Sequence, residues 1–166
     1  MHTLRFVSRV LCVAAVAVVF AVRTSSAEDS AAALEAGMKC AIEKYGLAGS
    51  NVFKGEPLTA VAGPSYAAES KFEGYNEGSR DPKLASFPPG VGLIGRAWSS
   101  PKGVDSSEDV QKLPGDKFLR LELAKKFGVH GTLGVRFEQY DAVIEFYAAS
   151  PKTDWNVEGI RACFGA

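Results

Sequence analysis

Between residues 30 and 45 the apolar positions recur at the spacing of one helix face. This spacing predicts a helix that ends at Gly46. Its apolar face consists of Leu34, Met38, Ala41, Ile42 and Tyr45. A second stripe, of small side chains, consists of Ala33, Gly37 and Cys40. We expect a neighbouring helix to pack closely against that stripe.

The middle of the chain has shorter patterns. Residues 47–54 and 57–63 predict two short strands, and the polar segment 65–86 predicts a long loop with at most one helical turn. The segment FPPGVGLIGRAW at 87–98 combines two prolines with three glycines in an apolar run. That combination predicts a turn and a buried strand that other backbone or a ligand approaches closely. Its glycines have the spacing of a dinucleotide-binding loop, but no helical pattern follows, which argues against such a site.

The second half of the chain predicts a loop, a helix, a hairpin and a final helix. Residues 99–108 are polar and predict the loop, while 115–128 have helical spacing and end in a glycine. The alternating pattern over 129–150 predicts a β-hairpin. A short amphipathic helix follows, with Thr153 or Asp154 as its cap.

The alternation along the predicted hairpin separates two faces. One face is apolar and consists of Leu133, Val135, Phe137, Ala142, Ile144 and Phe146. The other mixes small, polar and charged groups and consists of His130, Thr132, Gly134, Arg136, Val143, Glu145 and Tyr147. We expect the first and last helices to cover the apolar face. On the mixed face Arg136 and Glu145 are diagonal neighbours on adjacent strands, within reach of each other.

The first 27 residues have the pattern of a secretory signal peptide. Two arginines precede the thirteen uncharged residues 10–22, and small residues predict cleavage after Ala27. These thirteen residues are too few for a helix that spans a bilayer, which needs about 20 apolar residues. We therefore expect a leader over 1–27 and a secretory or extracellular location. An uncleaved membrane anchor and a mitochondrial presequence are the alternatives.

Length, charge and motifs narrow the classes of function. The 166 residues, 46% of them hydrophobic, allow one domain, over 28–166. Without the leader, 16 basic and 19 acidic residues remain, a net charge of −3 with no basic run, so no nucleic-acid partner and no membrane contact are expected. No nucleophile elbow, HExxH, P-loop or CxxC motif is present. No second histidine, cysteine pair or cluster of carboxylates lies near His130 in the sequence, so its spacing does not indicate a metal site. The sequence therefore favours a protein without catalytic residues, cofactor or metal, although it leaves enzymatic activity open.

The order of motifs resembles that of the GAF domain. The motifs are GVGLIGRAW, Asp109-Val110, Phe118-Leu119-Arg120, Ala124, Gly128, GTLGVRF and DAVIEFYAAS. The match is closest to the GAF regions of plant NIN-like regulators and of stand-alone algal or bacterial GAF proteins. It covers 31–164, and over 31–80 it concerns only the order of elements. The chain departs from the family at 99–108, where an apolar strand usually precedes the Asp-Val step, and at Arg136, where the family commonly has proline.

The resemblance implies an α+β, GAF/PAS-like fold. Its central antiparallel sheet would carry the N- and C-terminal helices on one face and a layer of loops or helices over the other. In that fold the mixed face and segment 87–98 enclose the ligand pocket. The candidate ligand-binding residues are then Phe87, Trp98, Thr132, Arg136, Glu145 and Tyr147.

Two of these predictions have alternatives. Arg136 would hold an anionic ligand with Glu145 positioning it, or the two would form an ion pair of little energetic value. Phe87 and Trp98 would otherwise be core residues. Arg120, which matches the family's helix arginine, is expected to tie its helix to a loop carbonyl or to a carboxylate.

The function implied by the resemblance is a non-catalytic sensor or a module that binds an unknown small molecule. Any signal would pass through a partner protein or a homodimer. The alternatives are a small oxidoreductase of the methionine-sulfoxide-reductase type and a degenerate interaction module with a filled pocket. The family fold places the terminal helices side by side, so we predict a disulfide between Cys40 and Cys163, with two free thiols as the alternative.

Overall fold

The computed structural model describes residues 28–61 and 63–165, and the leader predicted for 1–27 lies outside them. The chain divides into two units, 1–33 and 34–166. Residues 28–33 are helical. In the larger unit the helices are α1 (34–45), α2 (Glu73–Gly78), α3 (Gly92–Ser99), α4 (Leu121–Phe127) and α5 (Val157–Ala162). None of the described helices is long and apolar enough to cross a membrane.

Within the described residues, seven strands form one antiparallel sheet. They are β1 (Gly49–Lys54), β2 (Leu58–Ala60), β3 (Tyr66–Ala67), β4 (Ser86–Phe87), β5 (Val104–Ser107), β6 (Thr132–Phe137) and β7 (Ala142–Tyr147). Their order is β4-β2-β1-β7-β6-β5, and β3 pairs with β1 beside that path. The predicted hairpin is confirmed as β6 and β7, with Gly134 opposite Glu145 and Arg136 opposite Val143. The α+β class and the antiparallel sheet are therefore confirmed.

The apolar face of the sheet packs against both terminal helices, as predicted. Leu34, Met38 and Ile42 of α1 lie in one core cluster with Ile160 of α5 and with the apolar residues of β6 and β7. Cys40 and Cys163 form a disulfide, with 5.8 Å between their Cα atoms and a sequence separation of 123. The predicted disulfide is confirmed. The close packing expected along the stripe of small side chains is also confirmed, because a Cβ on Gly37 would meet the ring of Phe164.

The mixed face of the sheet is covered by α2, α3 and α4, which agrees with the expected layer of loops or helices. Leu93, Ile94 and Ala97 of α3 are buried against it. Gly134 permits this approach, since a Cβ there would lie 3.0 Å from side-chain atoms of Leu93 and Ala97.

Segment 87–98 corrects our prediction of a buried strand. Only Ser86–Phe87 is a strand, and the glycine-rich stretch begins α3 at Gly92. The helix forms because Leu93, Ile94 and Ala97 fall on one helix face that the sheet buries, which outweighs the low helix propensity of its glycines.

Four other segments also differ from their predictions. Segment 65–86 contains α2, and 99–108 contains the edge strand β5. Helix α4 begins at Leu121 instead of 115. The last helix is capped by Asn156, whose side-chain oxygen accepts from Gly159 N, and not by Thr153 or Asp154.

Candidate functional site

A buried ion pair lies at the centre of the mixed face. Arg120, just before α4, donates from Nη1 to Glu145 Oε2 at 2.7 Å and from Nη2 to Oε1 at 2.6 Å. The Arg120 side chain is 1% exposed and that of Glu145 is 0% exposed. Such a two-point contact between a guanidinium and a carboxylate is the strongest ion-pair geometry that proteins use.

Neutral side chains complete this pair. Asn51 of β1 donates to Glu145 Oε2 at 3.3 Å, and Arg120 Nη1 also donates to Ser79 Oγ at 3.1 Å. Burial opposes the charge of Arg120, but the nearby Glu145 carboxylate outweighs it, so the pKa of Arg120 lies above its ordinary value. Arg120 is therefore held in its charged form inside the protein.

Aromatic rings enclose the guanidinium of Arg120. Its Cζ atom lies 5.2 to 5.6 Å from four ring centroids, those of Phe53, Tyr75, Phe87 and Phe118. These distances are within the range of cation–π attraction, which grows when the cation is removed from water. The aromatic enclosure thus offsets part of the cost of burying the charge.

Two tyrosines border the pair. Tyr147 donates its hydroxyl to Asn76 Oδ1 at 2.8 Å, and its ring packs at 4.9 Å from that of Tyr75. Burial is the main cause that raises the pKa of Tyr75 and of Tyr147 well above the ordinary value. Among the described atoms, the buried hydroxyls of Tyr75 and Thr132 have no hydrogen-bond partner.

The structure brings four of the six predicted site residues together. Thr132, Glu145 and Tyr147 lie on the mixed face, and Phe87 belongs to the aromatic enclosure. All four are almost fully buried.

Arg136 and Trp98 lie apart from that group, at the edge of the face. The Arg136 guanidinium stacks on the Trp98 ring at 4.3 Å and donates to the Trp98 carbonyl at 3.3 Å. The expected ion pair between Arg136 and Glu145 is wrong, because Arg120 reaches Glu145 from above the sheet and occupies both carboxylate oxygens.

Sequence reasoning missed most of the partners of Glu145. Arg120 was expected to have a structural role with a carbonyl or carboxylate, and its partner is a strand carboxylate. Asn51, Asn76 and Ser79 were not predicted as part of the site. The available clue was that Asn51 is a polar residue within β1, a strand whose other positions are mostly buried.

The remaining candidate groups lie outside the buried site. His130 Nδ1 is 3.0 Å from Asp109 Oδ1, at the margin of the cluster that contains Tyr147. Over 28–61 and 63–165, no three potential ligands converge on a metal position. Neither a known protein-family model nor a curated protein matches this sequence.

Proposed function

We propose that this chain is a non-catalytic module of the GAF-like class that acts by binding at its surface. The observation that carries this proposal is the Arg120–Glu145 pair, which fills the face where the resemblance expects a ligand. The Glu145 carboxylate already accepts hydrogen bonds from Arg120 and Asn51. A charge satisfied in this way does not need a ligand to balance it.

The GAF/PAS-like assignment rests on the motif order and on the layers of the fold. Both terminal helices pack on the apolar face, and the glycine-rich segment lies over the mixed face. The Cys40–Cys163 disulfide supports a secretory or extracellular location, because such bonds persist in oxidising compartments.

A second candidate function is the binding of a small polar ligand inside the protein. The buried, unpartnered hydroxyls of Tyr75 and Thr132 favour it, since a buried polar group without a partner is costly. The reductase alternative gains no such support, because the disulfide joins α1 and α5 on the opposite face of the sheet from Glu145.

Refolding in the absence of small molecules tests whether the interior is filled by the protein's own side chains or by a bound ligand. The purified chain would be unfolded in guanidinium without reductant, dialysed exhaustively and refolded. We expect the refolded protein to recover the melting temperature of the original preparation, and a native mass spectrum to show no retained ligand. A lower melting temperature that a small-molecule extract of the original protein restores would refute the filled interior and favour the internal-ligand function.

A further inference from the structure

A surface cleft of about 380 Å³ lies where the end of α3, the end of β6 and helix α5 meet. Lys102, Arg136 and Arg161 contribute three positive charges to its lining. Glu138 is the one acidic residue among the lining residues. The cleft therefore has a net positive charge, although the domain as a whole is slightly acidic.

Both arginines of the cleft are anchored by neutral groups. Arg136 stacks on Trp98 and donates to its carbonyl oxygen. Arg161 donates from Nη2 to the carbonyl oxygen of Lys102 at 2.9 Å. These contacts fix the two side chains while leaving most of their guanidinium N–H donors unused.

Within the described part of the chain, neither Arg136 nor Arg161 has a carboxylate within 4.0 Å. The Nε atoms of both are buried and lack a hydrogen-bond partner. By contrast, Arg96 contacts Asp105 at 2.8 Å and Arg120 contacts Glu145. Among the described residues, the cleft thus holds two guanidinium groups without a carboxylate partner within 4.0 Å.

The two arginines converge around Gly103. A Cβ built on this glycine would lie 3.2 Å from Arg136 Cβ and 3.3 Å from Arg161 Nη2. Planar guanidinium groups match the oxygen geometry of phosphate and carboxylate groups, and two of them carry the charge of a dianion.

We propose that this cleft binds the phosphate group of a small ligand, with Arg136 and Arg161 as its two guanidinium contacts and Lys102 as an additional cation. Trp98 holds Arg136 in place. The site is separate from the buried Arg120–Glu145 pair. The proposal of phosphate binding and the proposal of a filled interior can therefore be refuted independently of each other.

Calorimetric titration of the full chain with inorganic phosphate, at constant ionic strength set with chloride, tests the site. We expect phosphate to bind, and Arg136→Gln and Arg161→Gln each to weaken it about tenfold or more, as expected for the loss of a charge-assisted hydrogen bond. Arg161→Lys should retain part of the affinity, because it keeps the charge but loses the planar fork. Tighter binding of O-phosphoserine than of inorganic phosphate would identify a phosphomonoester as the ligand, and equal binding would identify free phosphate.

The control is Arg80→Gln, which removes one positive charge elsewhere. Arg80 is exposed, its Nη2 donates to Ser65 Oγ at 3.1 Å, and it is not part of this cleft. We expect this variant to bind phosphate like the parent protein. A parent protein that shows no phosphate-dependent heat would overturn the proposal, and so would equal weakening by Arg80→Gln, because general charge would then explain the binding. Melting temperatures of all variants confirm that each is folded.

Discussion

The two faces of the sheet are buried by different kinds of interaction. The apolar face packs aliphatic and aromatic side chains against α1 and α5, and a disulfide joins those two helices. The mixed face surrounds one ion pair with aromatic rings and amide groups. Apolar burial has no preferred direction, whereas each hydrogen bond of the ion pair requires particular atoms at particular distances.

This difference indicates which face tolerates change. An apolar contact that loses one methylene group retains most of its neighbours, so its cost is graded. A buried ion pair that loses one partner leaves an uncompensated charge in a medium of low polarity, so its cost is abrupt. We infer that the mixed face determines the detailed arrangement of α2, α3 and α4, while the apolar face supplies the bulk of the buried area.

Substitution of Arg120 should have the largest effect. Arg120→Met leaves the fully buried Glu145 without its cation, and we expect the free energy of unfolding to fall by about 3–5 kcal/mol. Urea unfolding would measure the loss. The double variant Arg120→Met/Glu145→Leu should recover a substantial part of it, because no charge is then left unpaired.

A matched control is available on α4 itself. Lys125 and Glu122 form an exposed pair at 2.9 Å, and Lys125→Met should change stability by less than about 1 kcal/mol. If Arg120→Met cost no more than this control, the proposed contrast between the two faces would be lost.

The disulfide should give the next largest effect, on the other face. We expect Cys40→Ser/Cys163→Ser to lower the free energy of unfolding by about 2–4 kcal/mol, because the unfolded chain loses the constraint of a long loop. Urea unfolding of the parent and the variant would measure this, and reductant should destabilise only the parent protein.

Thiol titration of the denatured, unreduced full chain provides an independent test of the bond. The sequence has three cysteines, so a single reactive thiol, that of Cys12, is expected. Three reactive thiols would contradict the disulfide and remove its support for a secretory location.

The apolar face could be predicted from the sequence, and the mixed face only in part. The alternation in β6 and β7 and the helical spacing in α1 were sufficient because each pattern is local and repeats several times. The partner of Glu145 was not predictable, since a buried arginine 25 residues away looks like any surface charge in a sequence. Partners of this kind are determined by the three-dimensional packing alone.

Helices α2 and α3 were missed for related reasons. Helix α2 buries Tyr75 and Asn76, and such polar or amphipathic residues give no clear apolar periodicity. In α3 the helical spacing of Leu93, Ile94 and Ala97 was present, but neighbouring glycines and prolines favoured the prediction of a turn and strand. In both helices tertiary packing outweighed local propensity.

The smallest effect should come from the contact between Asp109 and His130 at the margin of the mixed face, where Oδ1 and Nδ1 lie 3.0 Å apart. Burial raises the pKa of Asp109, but hydrogen bonds from His130 and from Gln111 N outweigh it, so the folded-state pKa lies below the ordinary value of 3.8. The unfolded chain therefore takes up the proton first as the pH falls. The contribution of Asp109 to stability is complete above pH 3.8 and is lost as the pH falls through the lower, folded-state pKa.

Chemical unfolding between neutral pH and about pH 3 would reveal this contribution. We expect Asp109→Asn to reduce stability at neutral pH and to give a flatter decline in acid than the parent protein, since the titrating group is absent. Glu122→Gln, at the exposed pair on α4, is the control and should leave the acid decline almost unchanged. An acid decline in Asp109→Asn as steep as in the parent would contradict the role assigned to Asp109 in the acid sensitivity.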